Sequence, residues 1–341
     1  RMGGRKSVEE RIAKIATVEY VLFGSRLEPG SFTNIRNYTM KRMLLLAVFA
    51  VAFTTLATMA VAQPTVNYHD VALLYNCNVD SSGILANYFM VARNIPAANV
   101  IGIDVSSNEE IDSTTFNSLR SQVESALGAL EATTTINYLV TCKGLPLKVN
   151  RGSTFSQTSP SSSVESELML IRDTTLARHI GGPGPQMSPY FYQNAHFSHA
   201  AYGIYLVSRL DAYSFAKVMN IIDRSGPNIV PQPTSKWVFD QDPSRSTPLN
   251  TYMHVAATNL QARSMNVVDN ADTVFVTDLT NVVSYWSFGS NDNFSHWYTN
   301  PPGAVGDPRF TFVPGSVAEE YVSTSGRSFH YPPSYGQSLF V

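Results

Sequence analysis

The sequence predicts an α/β fold: a mostly parallel sheet with helices packed on both of its faces, in three layers. Two observations carry that expectation. Short apolar, β-branched runs recur along the chain, continuous rather than alternating and bounded by Asn, Asp, Gly or Ser, which suits strands buried on both faces. Between them lie segments whose apolar residues repeat at helical spacing, and strand alternating with helix is the pattern of a parallel sheet.

The first strand is VALLYN (71–76), and a helix over 83–94 follows it, with Ser81 or Ser82 as the cap. VIGIDV (100–105) is the second strand. The next helix, 113–132, aligns Phe116, Leu119, Val123, Leu127 and Leu130 on one stripe. INYLVTC (136–142) and IYLVSRL (204–210) are further strands, separated by a Ser/Thr-rich stretch (150–163) and a Gly-, Pro- and aromatic-rich one (181–199). Loops that long in a compact domain are usually functional lids or links. A helix over 212–224 and the strands WVFD (237–240) and VVSYWSF (282–288) complete the pattern, and no internal repeat is evident.

Residues 40–62 predict a secretory signal, with Lys41 and Arg42 ahead of an apolar run from Met43 to Phe53 and the small-residue end Ala60-Val61-Ala62. Thr54, Thr55 and Thr58 interrupt the run before the roughly 20 residues a spanning helix needs, so cleavage after Ala62 is expected, with contact to the membrane only through this segment. Residues 1–39, upstream of Met40, are then expected to be a non-native extension, and the ending PPSYGQSLFV is expected to continue into a longer protein. Residues 63–341 are expected to form a single α/β domain. The first 62 residues hold nine of the 24 basic and four of the 26 acidic side chains, so the remainder has 15 basic against 22 acidic, a formal charge of −7. With no basic cluster either, nucleic acid is not an expected partner.

Ligands of open α/β sheets bind beyond the carboxyl ends of the strands. Three unusual segments fall there: CNVDSSG (77–83), CKGLPLKV (142–149) and GSNDN (289–293). Cys77 and Cys142 each occupy the seventh position of their strand segments. With the two strands adjacent and in register their Cα atoms would lie about 4.8 Å apart, within disulfide reach, and export would permit oxidation; the alternative is two buried thiols. Glu165 and Glu167 either share a cation or stand in a first helical turn capped by Ser162 or Ser163. Arg209 and Asp211, two apart on a strand, point the same way and form an ion pair or an anion site. His196 and His199 are three apart but lack a third ligand at recognisable spacing, so no metal is expected. Ser290, Asn291 and Asp292 make either a capped turn or a polar cluster at the active face. No phosphate loop, dinucleotide fingerprint, Gly-x-Ser-x-Gly or His-Glu-x-x-His is present, and no cofactor is expected.

Taken in order, VALLYNCN, RNIPAANVIGIDV, INYLVTCKGLPLKV, SSVESELMLI, SPYF, IYLVSRLDAY, SYWSFGSND and FVPGSVAEEYVSTSGRSF resemble a family of uncharacterised exported bacterial proteins over residues 71–329. A more distant resemblance reaches the gingipain-type peptidases, which implies a caspase-like sandwich. There one strand ends in a catalytic histidine before Gly-Ser and a later one in a catalytic cysteine; here Phe288 takes the first place and Ser323 or Thr324 the second, so the dyad is missing. Phenylalanine cannot hold a thiol as thiolate. Two functions follow as expectations. The first is binding of a peptide or glycan at the cell surface without peptidase chemistry, with aromatic loops near 190–192 and 297–298 and Glu165, Glu167, Arg209, Asp211, Ser290 and Asn291 as binding residues. The second is a hydrolase with Ser323 as nucleophile, Asp292 and either His296 or Lys143 assisting, and N–H groups around Gly289 as the oxyanion site.

Overall fold

The computed structural model describes residues 66–150, 161–172, 187–226, 232–244, 248–288, 309–321 and 328–329, all within one compact unit, Val66–Val341. The predicted signal and the extension before it lie outside the described residues, as do Ser290, Asn291, Asp292, His296 and Ser323.

The first sheet comprises β1 (Val71–Asn76), β2 (Val100–Ile103), β4 (Tyr138–Cys142) and β7 (Leu206–Leu210), all parallel, in the order β2-β1-β4-β7. Helices α1 (Asp80–Arg93) and α5 (Phe215–Arg224) cover one face, where Leu85, Ala86, Val218 and Ile222 pack with Cys142 and Tyr75. Helices α2 (Ser113–Glu131) and α3 (Val164–Met169) cover the other, with Phe116, Leu119, Val123, Leu127 and Leu168 against Ala72, Leu74 and Leu139. Alternate residues of one strand thus enter two cores, as a period of two demands, and each buried Leu, Val or Phe of the α2 stripe contributes roughly 1.5–3 kcal/mol. Asp112 caps α2 by accepting from Thr115 N–H at 2.7 Å, and Ser214 caps α5 by accepting from Lys217 N–H. The cap expected for α1 is absent, for the helix begins after Val79 and Ser81 and Ser82 lie within its first turn.

Two pieces of structure lie where the sequence shows only loop. A small sheet, β3 (Glu110–Asp112), β5 (Lys148–Asn150) and β6 (Ser161–Ser163), folds the segments after β2 and β4 together. The short helix α4 (His199–Tyr202) lies within the aromatic stretch.

A second parallel sheet holds β8 (Lys236–Asp240), β9 (Asn266–Asn270), β10 (Thr280–Ser287) and β11 (Thr311–Glu320), ordered β9-β8-β10-β11. Helix α6 (Pro248–Gln261) connects β8 to β9 and packs Met253 and Ala257 into a core with Val238, Phe239, Val282 and Tyr285. Both four-stranded sheets therefore place their strands in the spatial order second, first, third, fourth. The match extends to the backbone: Cys77 N–H donates to Ile103 O at 2.9 Å, and Gln241 N–H donates to Asn270 O at 2.9 Å, each joining the residue after the first strand to the end of the second. The structure carries a repeat of topology that the sequence does not display.

Candidate functional site

At the carboxyl end of the first sheet, register assembles the site. Thr141 is level with Arg209 across β4 and β7, and Lys143 N–H continues the ladder to Leu210 O at 2.9 Å. Thr141 and Arg209 accordingly share the face that α3 covers, Cys142 and Leu210 turn to the other, and Lys143 and Asp211 follow just beyond the two strand ends. Lys143 Nζ donates to Asp211 Oδ1 at 2.9 Å, and Arg209 Nη1 to Asp211 Oδ2 at 3.2 Å. Arg209 Nη2 reaches Glu165 Oε1 at 2.5 Å, and the Thr141 hydroxyl donates to the same oxygen at 2.7 Å. Arg209 also donates to Leu145 O at 3.1 Å and Pro146 O at 2.5 Å. Its Nε is buried without a hydrogen-bond partner among the described residues. The Asp211 side chain is only 5% exposed and that of Arg209 10%, so these charges interact with little solvent between them.

Glu165 stands in the first turn of α3, whose N-cap Ser163 accepts from Ser166 N–H at 3.0 Å. Of the two readings of this pair, the capped turn is the one present, and Glu167, two residues along a helix, diverges from Glu165 rather than converging on one cation. Arg209 and Asp211 form the ion pair. The sequence singled out Lys143, Glu165, Arg209 and Asp211 as separate features; the fold makes them one network.

The disulfide does not form. Val71 pairs with Tyr138, which sets Cys142 level with Tyr75 rather than Cys77, because β4 begins two residues later than its apolar run. Both cysteines are free, Cys77 exposed and Cys142 buried. Burial pushes the Cys142 thiol up to about 12, only partly offset by Arg209, so it is no nucleophile at neutral pH. His196 and His199 turn their Nδ1 atoms to the carbonyls of Phe197 and Ile204, and the His199 ring stacks on Tyr205. Phe288, at the position of the histidine in the resemblance, is 3% exposed and packs edge-on against Tyr321.

Sequence reading missed three further polar elements. Glu109, between β2 and β3, accepts from Ser328 Oγ at 2.6 Å and Phe329 N–H at 2.8 Å. Asn76, fully buried at the end of β1, donates to Ser106 O at 3.3 Å and Gly144 O at 2.8 Å, tying the loops after β2 and β4 together. Asp240 ends β8 in the corresponding place of the second sheet and accepts from Asn270 Nδ2 at 2.7 Å, Val276 N–H at 2.9 Å and the Tyr285 hydroxyl at 2.8 Å. Burial raises its carboxyl to about 6 despite those three donors. The available signal was a polar residue closing each central apolar run, Asn in VALLYN and Asp in WVFD.

The aromatic stretch occupies the opposite end of the sheet. Phe197 packs on Tyr138 at the start of β4, and His199 N–H donates to Asn137 Oδ1 at 2.8 Å. Tyr190, Phe197 and Tyr202 form the base, while Met187 is 80%, Phe191 52% and Tyr192 89% exposed at the tip. Tyr192 has a φ of 59°, held between Phe191 N–H to Ser188 O and Gln193 N–H to Tyr190 O. An aromatic residue in the left-handed region is strained, and it persists only where its surroundings fix it.

Fold and site together define an α/β protein with two parallel sheets and a charge-paired cluster at the carboxyl end of the first. No family model, no characterised protein and no solved structure matches the chain.

Proposed function

We propose that the chain is an exported binding protein on a caspase-like α/β frame, acting at the cell surface without peptidase chemistry. The observation that carries this reading is the exposed tip of Met187, Phe191 and Tyr192 on a packed aromatic base. A fixed aromatic surface supplies contact area at little cost in conformational entropy, whether to a peptide or to the apolar face of a sugar. The charge pairing at the other end weighs against Lys143 as the partner of a nucleophilic serine, because its ammonium is already engaged by Asp211. Export rests on the pattern of residues 40–62.

The test is retention and cleavage of a diverse peptide library and a glycan array by the mature chain, read by mass spectrometry and fluorescence. Retention without cleavage, lost in Phe191→Ala/Tyr192→Ala, is expected. Cleavage that disappears in Ser323→Ala would replace this reading with the serine hydrolase.

A further inference from the structure

We propose that Glu109 and Lys143 form a main-chain clamp for an extended peptide, and that the chain's own Ser328–Phe329 occupies it in this structure. The inference rests on the binding reading above and names peptide as the ligand class. Glu109 Oε1 accepts the N–H of Phe329 at 2.8 Å while Lys143 Nζ donates to the carbonyl of the same residue at 3.5 Å. Two side chains of opposite charge thus hold both backbone polar groups of one residue, one on its donor and one on its acceptor. The other Glu109 oxygen accepts the Ser328 hydroxyl at 2.6 Å. These contacts select for Ser or Thr followed by any residue with a free N–H, and they use nothing of the Phe329 side chain.

The main chain of Glu109 and the side chain of Lys143 are each held by groups other than the occupant. The Glu109 carbonyl accepts from Leu147 N–H at 2.7 Å and Lys148 N–H at 3.0 Å, and Lys143 is held by Asp211. A receptor that stands ready in this way loses little freedom on binding. The arms lie beyond β2 and β4, at the carboxyl end where open α/β sheets take their ligands. The occupant comes from the same chain, 219 and 220 residues along from Glu109, so an outside peptide competes with a tethered one. A tether sets an effective concentration of about 1 mM, which weakens a peptide of roughly 10 μM intrinsic affinity by about 100-fold.

The test uses the full chain and a fluorescein-labelled pentapeptide, Arg-Ser-Phe-His-Tyr, with fluorescence polarisation as the readout. Phe329→Pro removes the N–H that Glu109 accepts and leaves the clamp in place. The expected result is at least tenfold tighter binding by Phe329→Pro than by the unmodified chain, a gain of about threefold in Ser328→Ala, and loss of binding when the peptide carries N-methylphenylalanine or when Glu109→Ala is added. Equal affinity for the unmodified chain and both variants, or equal binding of the N-methyl peptide, overturns the clamp. So does absence of binding to Ser328→Ala and Phe329→Pro proteins whose circular dichroism matches the unmodified chain. Failure of the clamp leaves retention at the Phe191–Tyr192 tip unchanged, whereas failure of the wider reading abolishes that retention, so the two are told apart.

Discussion

Replacing Asp211 by Asn tests whether the carboxyl-end network is held together by charge. Asp211 is 5% exposed and receives three donors: Lys143 Nζ at 2.9 Å, Arg209 Nη1 at 3.2 Å and the N–H of Ala212 at 2.8 Å. The substitution keeps the shape and removes the anion, leaving two buried cations facing an amide, one of whose ends is itself a donor. Breaking one partner from a buried pair costs about 3–5 kcal/mol, since the remaining charge stays out of water. Glu165 still neutralises Arg209, at 2.5 Å, so the lower half of that range, about 3–4 kcal/mol, is the expectation. For a domain of this size that lowers the melting temperature by roughly 6–15 °C. Guanidinium denaturation at pH 7 gives the free energy directly, and the double variant Asp211→Asn/Lys143→Met should recover at least about 1 kcal/mol of the loss. A change below about 1 kcal/mol in the single variant, or strict additivity in the double, would mean that the pairs are as weak as exposed ones and the argument from burial is wrong.

Asp240 makes stability depend on pH in a defined sense. Its folded-state pKa, about 6, lies above the unfolded value of 3.8, so its contribution is full below 3.8 and declines as pH rises to about 6, by up to about 3 kcal/mol; denaturation curves at pH 4 and 7 should show this decline in the unmodified chain and not in Asp240→Asn. The two thiols should separate under native alkylation, with Cys77 modified and Cys142 protected until the chain unfolds, and with the same electrophoretic mobility with or without reductant. Gly144→Ala should cost about 1–3 kcal/mol in a denaturant titration, because Gly144 has a φ of 104° and a methyl there would meet Ser82 at 3.1 Å, which also disturbs the carbonyl that Asn76 holds.

The first sheet was legible because its strands are apolar on both faces and therefore continuous in sequence, and because α2 repeats Phe116, Leu119, Val123 and Leu127 along one buried stripe. Strand β11 was not, for the opposite reason. It is an edge strand, mostly exposed or half-buried, and it contains Pro314 and Gly315, with a register shift in its pairing to β10 near them. Proline is tolerated at edges and bulges, so it argues against a strand in sequence while being compatible with this one in space. The small sheet escaped notice because three-residue strands have no period to detect. The disulfide expectation failed by a register of two: the apolar run begins at Ile136, the strand at Tyr138, and nothing in composition distinguishes Ile136, which enters the core ahead of the ladder. The network residues were visible individually because each is a polar interruption of an apolar segment, but their union required knowing that β4 and β7 are neighbours.

The two sheets assign the end of their central strand to different chemistry for the same geometric purpose. Asn76 donates to the carbonyls of Ser106 and Gly144, whereas Asp240 accepts from an amide, a backbone N–H and a hydroxyl. The loops around the first sheet therefore turn carbonyl oxygens toward its carboxyl end, and Leu145 and Pro146 add two more, both taken by Arg209. A face rich in acceptors needs donors, and that need accounts for a buried Arg209 independently of any ligand. It does not account for Lys143. Its ammonium is matched by Asp211, it reaches none of the four carbonyls that organise the loops, and its further hydrogen bond goes to Phe329 O, across 186 residues of chain. Arg209 is thus tied to the architecture of the face, whereas Lys143 links Asp211 to the main chain of Phe329.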